Sequence, residues 1–593
     1  MWLLCFVLSL VCLLTVAIIS FAISSVSRKK HNVFNILFGG IFSASLFAFI
    51  PINVFTTELS VLNAVRVFML SVFNSMQLFT IGGDFSVIEA RMILCPQWLN
   101  MYYQALVAFL FALAPLFTFG FVLSLFKNIF AYVRYIRAYF RDVYVFSELN
   151  EKSITLAVDI KKKNRKAAIV FTDVFNGNNE IMYELIEKNE NIGAINFKKD
   201  MLAIEFNKHS ENKNIYFFAI GINETENLNQ SLKLIEKYKN RENTHLYVFS
   251  TKVESELLLA TVDRGIIKVR RINEVQSLVN RVLYEKGELI FESASETTEG
   301  YKNISVVVAG MGSHGVEFIK ALAWYGQMDG YKIEINAFDK DPLAKEKFVA
   351  LAPELMSEKY NGVEVDGEAH YKITIHPGVD VNSETFVKKI RELKNTTFVI
   401  VALGDDDVNI NTAVNLRMHF ERMKIHPEIH TIVYNPQQRK ALVGITNYRG
   451  QKYDIDFFGD TESSYTEGVI INSELESEAL ARHLKWGKEE EFWMYEYNYR
   501  SSVASAIHMK ARISCGIPGA AKSEDELDEK EAGIIEALEH KRWNAYMRAE
   551  GYVYSGSKDK STRNDLGKMH HDLVDFESLS EEEKRKDRRV GTN

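Results

Sequence analysis

A glycine-rich turn is the first feature of this sequence with residue types suited to ligand chemistry. It reads GMGSHG, follows the apolar run ISVVVA and precedes the helix-like run VEFIKALAWYG. Glycines allow a tight bend and close approach of a phosphate, whose charge the amino end of the helix attracts. The next strand-like run, YKIEINAFD, ends on an aspartate, where an acid binds ribose hydroxyls. The pattern predicts a nucleotide or dinucleotide site, with a tight turn in an empty sheet as the alternative. The candidate residues are Gly310, Met311, Gly312, Ser313, His314, Gly315, Asp339, Gly404 and Asp405.

Aromatic and charged side chains in residues 531–593 form a second candidate site. Aromatic rings stack on purines, and basic side chains neutralise phosphates. The alternative is that the aromatic residues form the core of a small domain. The candidate residues are Arg542, Trp543, Tyr552, Tyr554, Lys568, His570 and Arg588.

A third group of polar side chains lies in the helix-like run EYNYRSSVASAIHMKARI. It crowds aromatic, amide and hydroxyl groups into a short span. We expect this helix to pack against a sheet, and a ligand contact is the alternative. The group consists of Tyr497, Asn498, Arg500, Ser501, Ser502 and His508.

Catalytic and metal-binding patterns are not evident in the sequence. No serine, histidine and aspartate order, paired catalytic carboxylates or metal-ligand spacing can be placed. The four cysteines, Cys5, Cys12, Cys95 and Cys515, form no disulfide framework. We therefore expect no catalytic residues, no metal and no enzyme activity.

The elements that position these groups alternate between strands and helices from Asp142 onward, which is typical of a parallel, doubly wound α/β sheet. Two Rossmann-like units are predicted, at 142–286 and 303–470. The first opens with SELNEKS, which contains no glycine, so we expect no dinucleotide there although Asp173 ends its second strand. A helical extension at 471–516, an acidic linker at 517–530 and a small, mostly helical domain at 531–593 follow.

The first 126 residues are predicted to form a helical transmembrane domain. Uncharged apolar runs at about 2–27, 33–56 and 99–126 are each long enough to span a bilayer. Basic residues at 28–30 and in a connecting helix at 127–141 place those ends in the cytoplasm. The apolar stretch that begins at residue 61 must then start and finish outside. Three interpretations stay open for it: a re-entrant pore loop over 61–86, a fourth span, or an interfacial outer helix.

The end of that stretch, FTIGGDFS, resembles the selectivity filter of potassium channels, in which backbone carbonyls replace the hydration shell of the ion. The sequence departs from the filter by lacking its aromatic residue and by being one residue shorter, so potassium selectivity does not follow. The candidate pore residues are Thr80, Ile81, Gly82, Gly83 and Asp84.

Two stretches of the sequence resemble known protein families. Residues 142–470 resemble tandem regulator-of-potassium-conductance (RCK, TrkA-N-like) domains, on VYVFSELNEKSITLA, VVVAGMGSHGVEFIKAL and FVIVALGDDDVNINTA. Residues 531–593 resemble the ryanodine-receptor (RyR) repeat domain, which also occurs in bacteria. The marks of that domain are Glu539, His540, Trp543, Gly551, Tyr552, Tyr554, Lys568, His570, Leu573, Val574, Leu579, Lys584 and Asp587.

These resemblances imply a multi-pass protein of the bacterial inner membrane with cytoplasmic carboxyl-terminal domains. A nucleotide-type ligand, NAD-like or a second messenger, would gate a pore, with antiphage signalling as a possible setting. One pore segment per chain requires a homo-oligomer, most simply a tetramer. We expect the membrane and a nucleotide as partners, and no nucleic acid. The alternatives are a housekeeping potassium channel or transporter subunit and a membrane-anchored nucleotide-processing enzyme.

Overall fold

The computed structural model describes residues 2–26, 30–55, 60–80, 82, 89–90, 93, 96–125, 127–173, 180–206, 208–298, 300–362, 371–444 and 447–592. The chain divides into two compact units, Met1–Arg134 and Tyr135–Asn593.

The first unit consists of helices. Val61–Phe79 and Gln97–Pro115 are long and apolar enough to cross a membrane, and Val7–Ser20 and Phe38–Val54 are shorter apolar helical stretches. Within the stretch that has three interpretations, Val61–Phe79 forms one continuous helix, and Thr80 caps its end. Of the other candidate pore residues, Gly82 is described, whereas Ile81, Gly83 and Asp84 lie outside the described residues. The helices are α1 (Trp2–Val26), α2 (Lys30–Phe55), α3 (Val61–Phe79), α4 (Gln97–Leu125) and α5 (Lys127–Ile136), the last of which continues into the second unit.

Helix α2 packs against α1, α3 and α4. Phe49, Leu78 and Val107 are buried between these helices. The Asn53 side-chain amide donates a hydrogen bond of 3.0 Å to Ser71 Oγ within this core. This bond joins α2 to α3 and gives the buried amide a hydrogen-bond partner.

The second unit begins with a six-stranded sheet in the order β3-β2-β1-β4-β5-β6, in which every pair is parallel. Four aromatic rings stack across neighbouring strands of this sheet, with ring centroids 4.7 to 5.0 Å apart. In strand order they are Phe171, Phe146, Phe218 and Tyr247. Its elements are β1 (Val143–Phe146), α6 (Glu151–Lys163), β2 (Ala168–Phe171), α7 (Glu180–Asn191), β3 (Ile195–Asn196), β4 (Ile215–Ala219), α8 (Glu224–Tyr238), β5 (Thr244–Phe249), α9 (Val253–Thr261), β6 (Lys268–Ile272) and α10 (Glu274–Lys286).

A second sheet repeats this topology in the order β10-β9-β8-β11-β12-β15, again parallel, with β7 antiparallel on β8. The prediction of two doubly wound parallel sheets is therefore confirmed. The elements are α11 (Glu288–Glu292), β7 (Ser295–Glu296), β8 (Lys302–Ala309), α12 (Ser313–Tyr325), β9 (Tyr331–Phe338), α13 (Ala344–Leu351), β10 (Tyr371–His376), α14 (Glu384–Glu392), β11 (Phe398–Val401), α15 (Asp406–Met423), β12 (Glu428–Ile432), α16 (Pro436–Val443), β13 (Asn447–Tyr448), β14 (Gln451–Lys452) and β15 (Ile455–Phe458).

The remaining elements form the helical extension and the carboxyl-terminal module. Helix α22 starts at a capping box, in which Asp528 and Glu531 bond to each other's backbone amides. The elements are α17 (Thr461–Ser464), α18 (Glu467–Ile470), α19 (Glu474–His483), α20 (Glu489–Met494), α21 (Glu496–Ser514), α22 (Glu529–Ala549), β16 (Val553–Tyr554), β17 (Met569–His570) and α23 (Glu581–Gly591).

Residues that follow each sheet along the chain pack in the core of the other sheet. Helix α10 follows the first sheet along the chain, but its Leu278, Val279 and Leu283 lie in the core of the second sheet. Conversely, Tyr465 and Ile470 follow the second sheet and are buried in the core of the first.

The packing therefore crosses the predicted boundaries at residues 286 and 470, which delimit the sheets but not their cores. The Glu467 amide also donates to Asp159 on α6 at 2.8 Å. The predicted linker at 517–530 does not separate two independent hydrophobic cores. Ala520 is buried, and the core around α22 is continuous with that of the second sheet.

Candidate functional site

The three glycines of the predicted phosphate-binding turn have different roles. Gly310 has a φ of +97°, and a Cβ there would lie 2.4 Å from the Ala402 carbonyl oxygen. A Cβ at Gly315 would lie 1.9 Å from the Gly310 carbonyl oxygen. Gly312 precedes α12 as its N-cap, and a Cβ there would meet nothing within 4 Å. Two glycines thus serve close backbone packing, and Gly312 faces open space where a ligand would approach.

The acid at the end of β9 is bonded to the same turn. Asp339 Oδ2 accepts a hydrogen bond of 2.6 Å from the Met311 amide, and Oδ1 accepts one of 2.7 Å from the Asp341 amide. His314 Nδ1 lies 3.3 Å from the Tyr434 hydroxyl, and burial lowers the pKa of His314, which keeps it neutral at pH 7. A ribose would therefore compete with the backbone of the turn for Asp339.

The other predicted residues of this site lie at the same edge of the sheet. Ser313 is exposed at the start of α12. Gly404 has a φ of +87°, and Asp405 caps α15 by accepting a hydrogen bond of 3.0 Å from the Val408 amide. Asp405 thus has a local structural role whether or not a ligand is bound.

The first sheet has a cavity of about 770 Å³ at the carboxyl ends of β1, β2, β4 and β5, where open α/β sheets bind ligands. Lys152 lines this cavity but is paired with Glu274 at 2.7 Å. Carboxylates repel phosphate groups, so the lining disfavours a pyrophosphate, as does the opening turn without glycine. The lining carboxylates are Glu148, Glu151, Asp173, Asp200, Glu224, Glu226 and Glu274.

A smaller cavity of about 100 Å³ brings together two groups of residues that are distant in sequence. Helix α21 supplies one wall and the carboxyl-terminal module supplies the other. From α21 come Tyr497, Asn498, Ser501, Ser502 and Ser505, and from the predicted aromatic and basic set come Arg542, Trp543 and His570. We call this space the α21 cavity.

Arg542 is the most deeply buried charged group of the α21 cavity, with 1 % of its surface exposed. Its Nη2 donates to Glu539 Oε1 at 2.7 Å and its Nε to Oε2 at 3.2 Å. Its Nη1 has no hydrogen-bond partner within the described part of the chain. Arg512 donates to the same carboxylate. Burial raises the pKa of Glu539, but Arg542 and Arg512 outweigh burial and lower it to about 2.

The His570 imidazole of the α21 cavity is uncharged and lies beside an aromatic ring. Burial, followed by the charge of Arg563, lowers the pKa of His570 to about 3, so its ring is neutral at pH 7. His570 Nδ1 accepts a hydrogen bond of 3.1 Å from the Asp572 amide. The Trp543 ring lies edge-on to His570 with centroids 4.9 Å apart. These rings offer flat surfaces beside the buried guanidinium.

Four residues of the predicted set do not line the α21 cavity. Arg588 donates from Nε to Glu536 at 2.7 Å, and Lys568 donates from Nζ to the Glu550 carbonyl at 2.6 Å. Tyr552 is buried in the core, and Tyr554 packs against that core.

The third sequence group is divided in the same way. Arg500 and His508 point elsewhere: Arg500 pairs with Glu550 at 2.9 Å, and His508 Nε2 lies 2.8 Å from the Gln327 carbonyl oxygen.

Sequence reasoning missed Arg482, which lines the same cavity from α19 and donates to the Val590 carbonyl at 3.1 Å. No local signal marks it, because its role depends on a contact with a segment more than 100 residues away in sequence.

Comparison with known proteins adds little to this geometry. No protein-family model matches the chain, and no curated protein matches it. The crystal structure of a point mutant of GsuK is similar with 12 % identity and a TM-score of 0.33, over 74 % of this chain and 96 % of that one. A dipicolinate synthase chain from Bacillus halodurans is similar with 12 % identity and a TM-score of 0.18, over 56 % and 92 %. Neither likeness carries an argument about function at these values.

Proposed function

We propose that this chain is a multi-pass membrane protein in which a nucleotide-type ligand, bound on the cytosolic side, changes the state of the membrane helices. One observation carries the proposal: the α21 cavity joins Arg542, which has a buried donor without a partner in the described chain, to the Trp543 ring and to the polar face of α21. Concave sites with a flat apolar wall and a few fixed polar groups are typical of small-ligand sites.

The two parallel sheets support a nucleotide as the ligand class. Sheets of this topology bind nucleotides at the carboxyl ends of their strands, and Gly312 leaves such a space open in the second sheet. The second sheet is therefore the second candidate position for the ligand, which is NAD-like or a second messenger.

Helix α21 offers a route from the cavity to the first sheet. Tyr497, Ser501 and Ser505 recur at helical spacing on the face that lines the cavity. On another face, Glu496 accepts a hydrogen bond of 2.7 Å from Arg271 Nε at the end of β6. Arg500 lies 3.5 Å from Glu256 on α9. A shift of α21 therefore repacks the edge of the first sheet.

The first sheet is the part of the chain that follows the apolar helices. Strand β1 begins at Val143, directly after the short segment 137–142 that ends the connection from α5. In this proposal the ligand favours one arrangement of the sheets, and the shift in population reaches the membrane through that segment.

The membrane part is proposed to line a pore in a symmetric homo-oligomer, with a tetramer as the simplest case. Helix α3 has 19 residues, or about 28 Å at 1.5 Å per residue, which matches the thickness of a bilayer core. This length is sufficient for a fourth span, and the re-entrant pore loop over 61–86 and the interfacial outer helix are the alternatives.

The test uses the full-length protein in liposomes. Small molecules released from protein purified from its own host are identified by mass spectrometry and added back during an ion-flux assay. We expect added ligand to change the flux, and Glu496→Gln to keep ligand binding but reduce the response. Glu489→Gln is the matched control, since Glu489 also faces β6 but in an exposed pair with Lys268 at 3.9 Å.

The outcomes separate this proposal from its rivals. Flux that no released molecule changes would refute ligand gating. Strict potassium selectivity would favour a housekeeping channel or transporter subunit over an antiphage effector that permeabilises the cell. Recovery of the ligand in chemically altered form would favour a nucleotide-processing enzyme.

A further inference from the structure

A cluster of three buried arginines lies beside the α21 cavity, and two of them, Arg482 and Arg542, line it. Arg482, Arg512 and Arg542 are exposed by 7 %, 1 % and 1 %. Glu539, exposed by 2 %, is shared by Arg512 and Arg542. Asp587 lies at 3.3 Å from His540 on the same wall. Two of these guanidinium groups thus share the single carboxylate of Glu539, and buried charge without a partner is strongly unfavourable.

The other acids that line the cavity have basic partners of their own. Asp572 lies 3.2 Å from His571 Nε2. Glu583 lies 2.9 Å from Lys560 and 3.5 Å from Lys586. The cavity is thus lined by four carboxylates, Glu539, Asp572, Glu583 and Asp587, and by four cations, Arg482, Arg542, Arg563 and Lys586.

The electrostatics of Arg482 show repulsion within the arginine cluster. Burial, followed by repulsion from Arg512, lowers the pKa of Arg482 to about 10. Arg482 binds backbone carbonyls at Val590 and Thr592, both at 3.1 Å, instead of a carboxylate. A negatively charged group in the cavity would relieve this repulsion.

Arg542 supplies the specific anchor. A guanidinium has five N–H donors in a planar fork, and in Arg542 the Nε and Nη2 sides are bonded to Glu539. The Nη1 side is buried without a partner in the described chain and belongs to a residue that lines the cavity. Leaving such a donor unbonded costs more than a typical hydrogen bond contributes, so the site is built for an acceptor.

The remaining groups near this anchor suit the same kind of ligand. Ser501 and Ser505 line the cavity with hydroxyl groups, which can donate to an oxygen atom. Asn498 adds an amide, and Trp543 adds a flat ring. The volume of about 100 Å³ holds one phosphate or one small ring, not an entire dinucleotide.

We infer that the α21 cavity binds the oxyanion of its ligand, a phosphate group, at Arg542 Nη1, while the rest of the ligand lies towards the opening. This inference rests on the proposed function for its ligand class. It excludes uncharged nucleosides as tight ligands, because they lack the group that the buried guanidinium binds.

The test measures binding of three probes, inorganic phosphate, AMP and adenosine, to the full-length protein in detergent by calorimetry and by the shift in melting temperature. AMP is expected to bind at least about tenfold more tightly than adenosine, the difference that one charge-assisted hydrogen bond makes. Inorganic phosphate is expected to compete with AMP.

Two variants and a control locate the site. Arg542→Gln removes the anchor, and Ser505→Leu fills the cavity without touching the arginine cluster. Each is expected to weaken AMP binding at least about tenfold. Arg588→Gln is the matched control, because Arg588 lies in the same module, pairs with Glu536 and does not line the cavity.

Any of three results overturns the inference: equal affinity for AMP and adenosine, no binding of AMP or phosphate, or unchanged affinity in Ser505→Leu. If Arg542→Gln does not fold, Ser505→Leu decides, with its melting curve and elution volume as the check on folding. If the binding test fails, the proposal of ligand gating still stands, provided that the ion flux responds to a ligand from the host. Failure of the flux assay alone refutes the proposed function and leaves oxyanion binding standing.

Discussion

Replacing Glu539 by glutamine tests the physical account of the α21 cavity most directly. The Glu539 carboxylate binds both Arg512 and Arg542, and all three side chains are buried. Its pKa falls from 4.5 to about 2, and a difference of this size corresponds to about 3 kcal/mol of stability at neutral pH. Removing one member of a buried charge cluster costs a similar amount, about 3 to 5 kcal/mol. We therefore expect Glu539→Gln to lose about 3 kcal/mol at pH 7.

The dependence on pH has a defined sign. The pKa of Glu539 is lower in the folded than in the unfolded chain, so its contribution is complete above pH 4.5 and disappears as the pH falls towards 2. The difference in stability between wild type and Glu539→Gln should therefore shrink across this range. Other carboxylates that titrate there, including Glu550, affect both proteins and cancel in the comparison.

The assay is thermal unfolding of the full-length protein in detergent, followed by tryptophan fluorescence between pH 7 and pH 3. Glu529→Gln is the control, since Glu529 is exposed on the same helix. Melting of Glu539→Gln at the temperature of the control, or a difference that does not change with pH, would show that the buried cluster does not depend on this carboxylate.

Three further predictions use the same protein. Gly315→Ala would place a Cβ 1.9 Å from the Gly310 carbonyl oxygen, and we expect little folded protein by size-exclusion chromatography, whereas Gly312→Ala should elute normally. Gly312→Asp should abolish ligand retention, measured by mass spectrometry, if the second sheet holds the ligand; unchanged retention would favour the α21 cavity. Glu550→Gln leaves Arg500 without its partner at 2.9 Å and should lower the melting temperature more than Glu529→Gln does; equal melting temperatures would contradict a structural role for this pair.

Local sequence patterns were sufficient for the architecture of the second unit. Strands such as Val143–Phe146 and Phe398–Val401 are short apolar runs that end in polar turns, and each can be recognised within its own segment. The glycine turn is equally local, because the steric need for Gly310 and Gly315 arises where a strand meets a helix.

The candidate site shows where local patterns stop being sufficient. Residue types flagged Arg542, Trp543 and His570, but they flagged Lys568 and Arg588 equally, and those two are bonded away from the cavity. The same side chain binds a ligand or completes a helix surface according to its neighbours, and those neighbours come from distant segments.

The sequence by itself determined the two α/β sheets, the apolar character of the first unit and the kinds of residue available for binding. The tertiary structure alone decided that α10 packs on the second sheet, that Tyr465 packs on the first, and that Arg482 meets Arg542 at one cavity. The physical reason is range: strand and helix signals act over a few residues, whereas burial of an apolar face or a charge depends on which distant surface covers it.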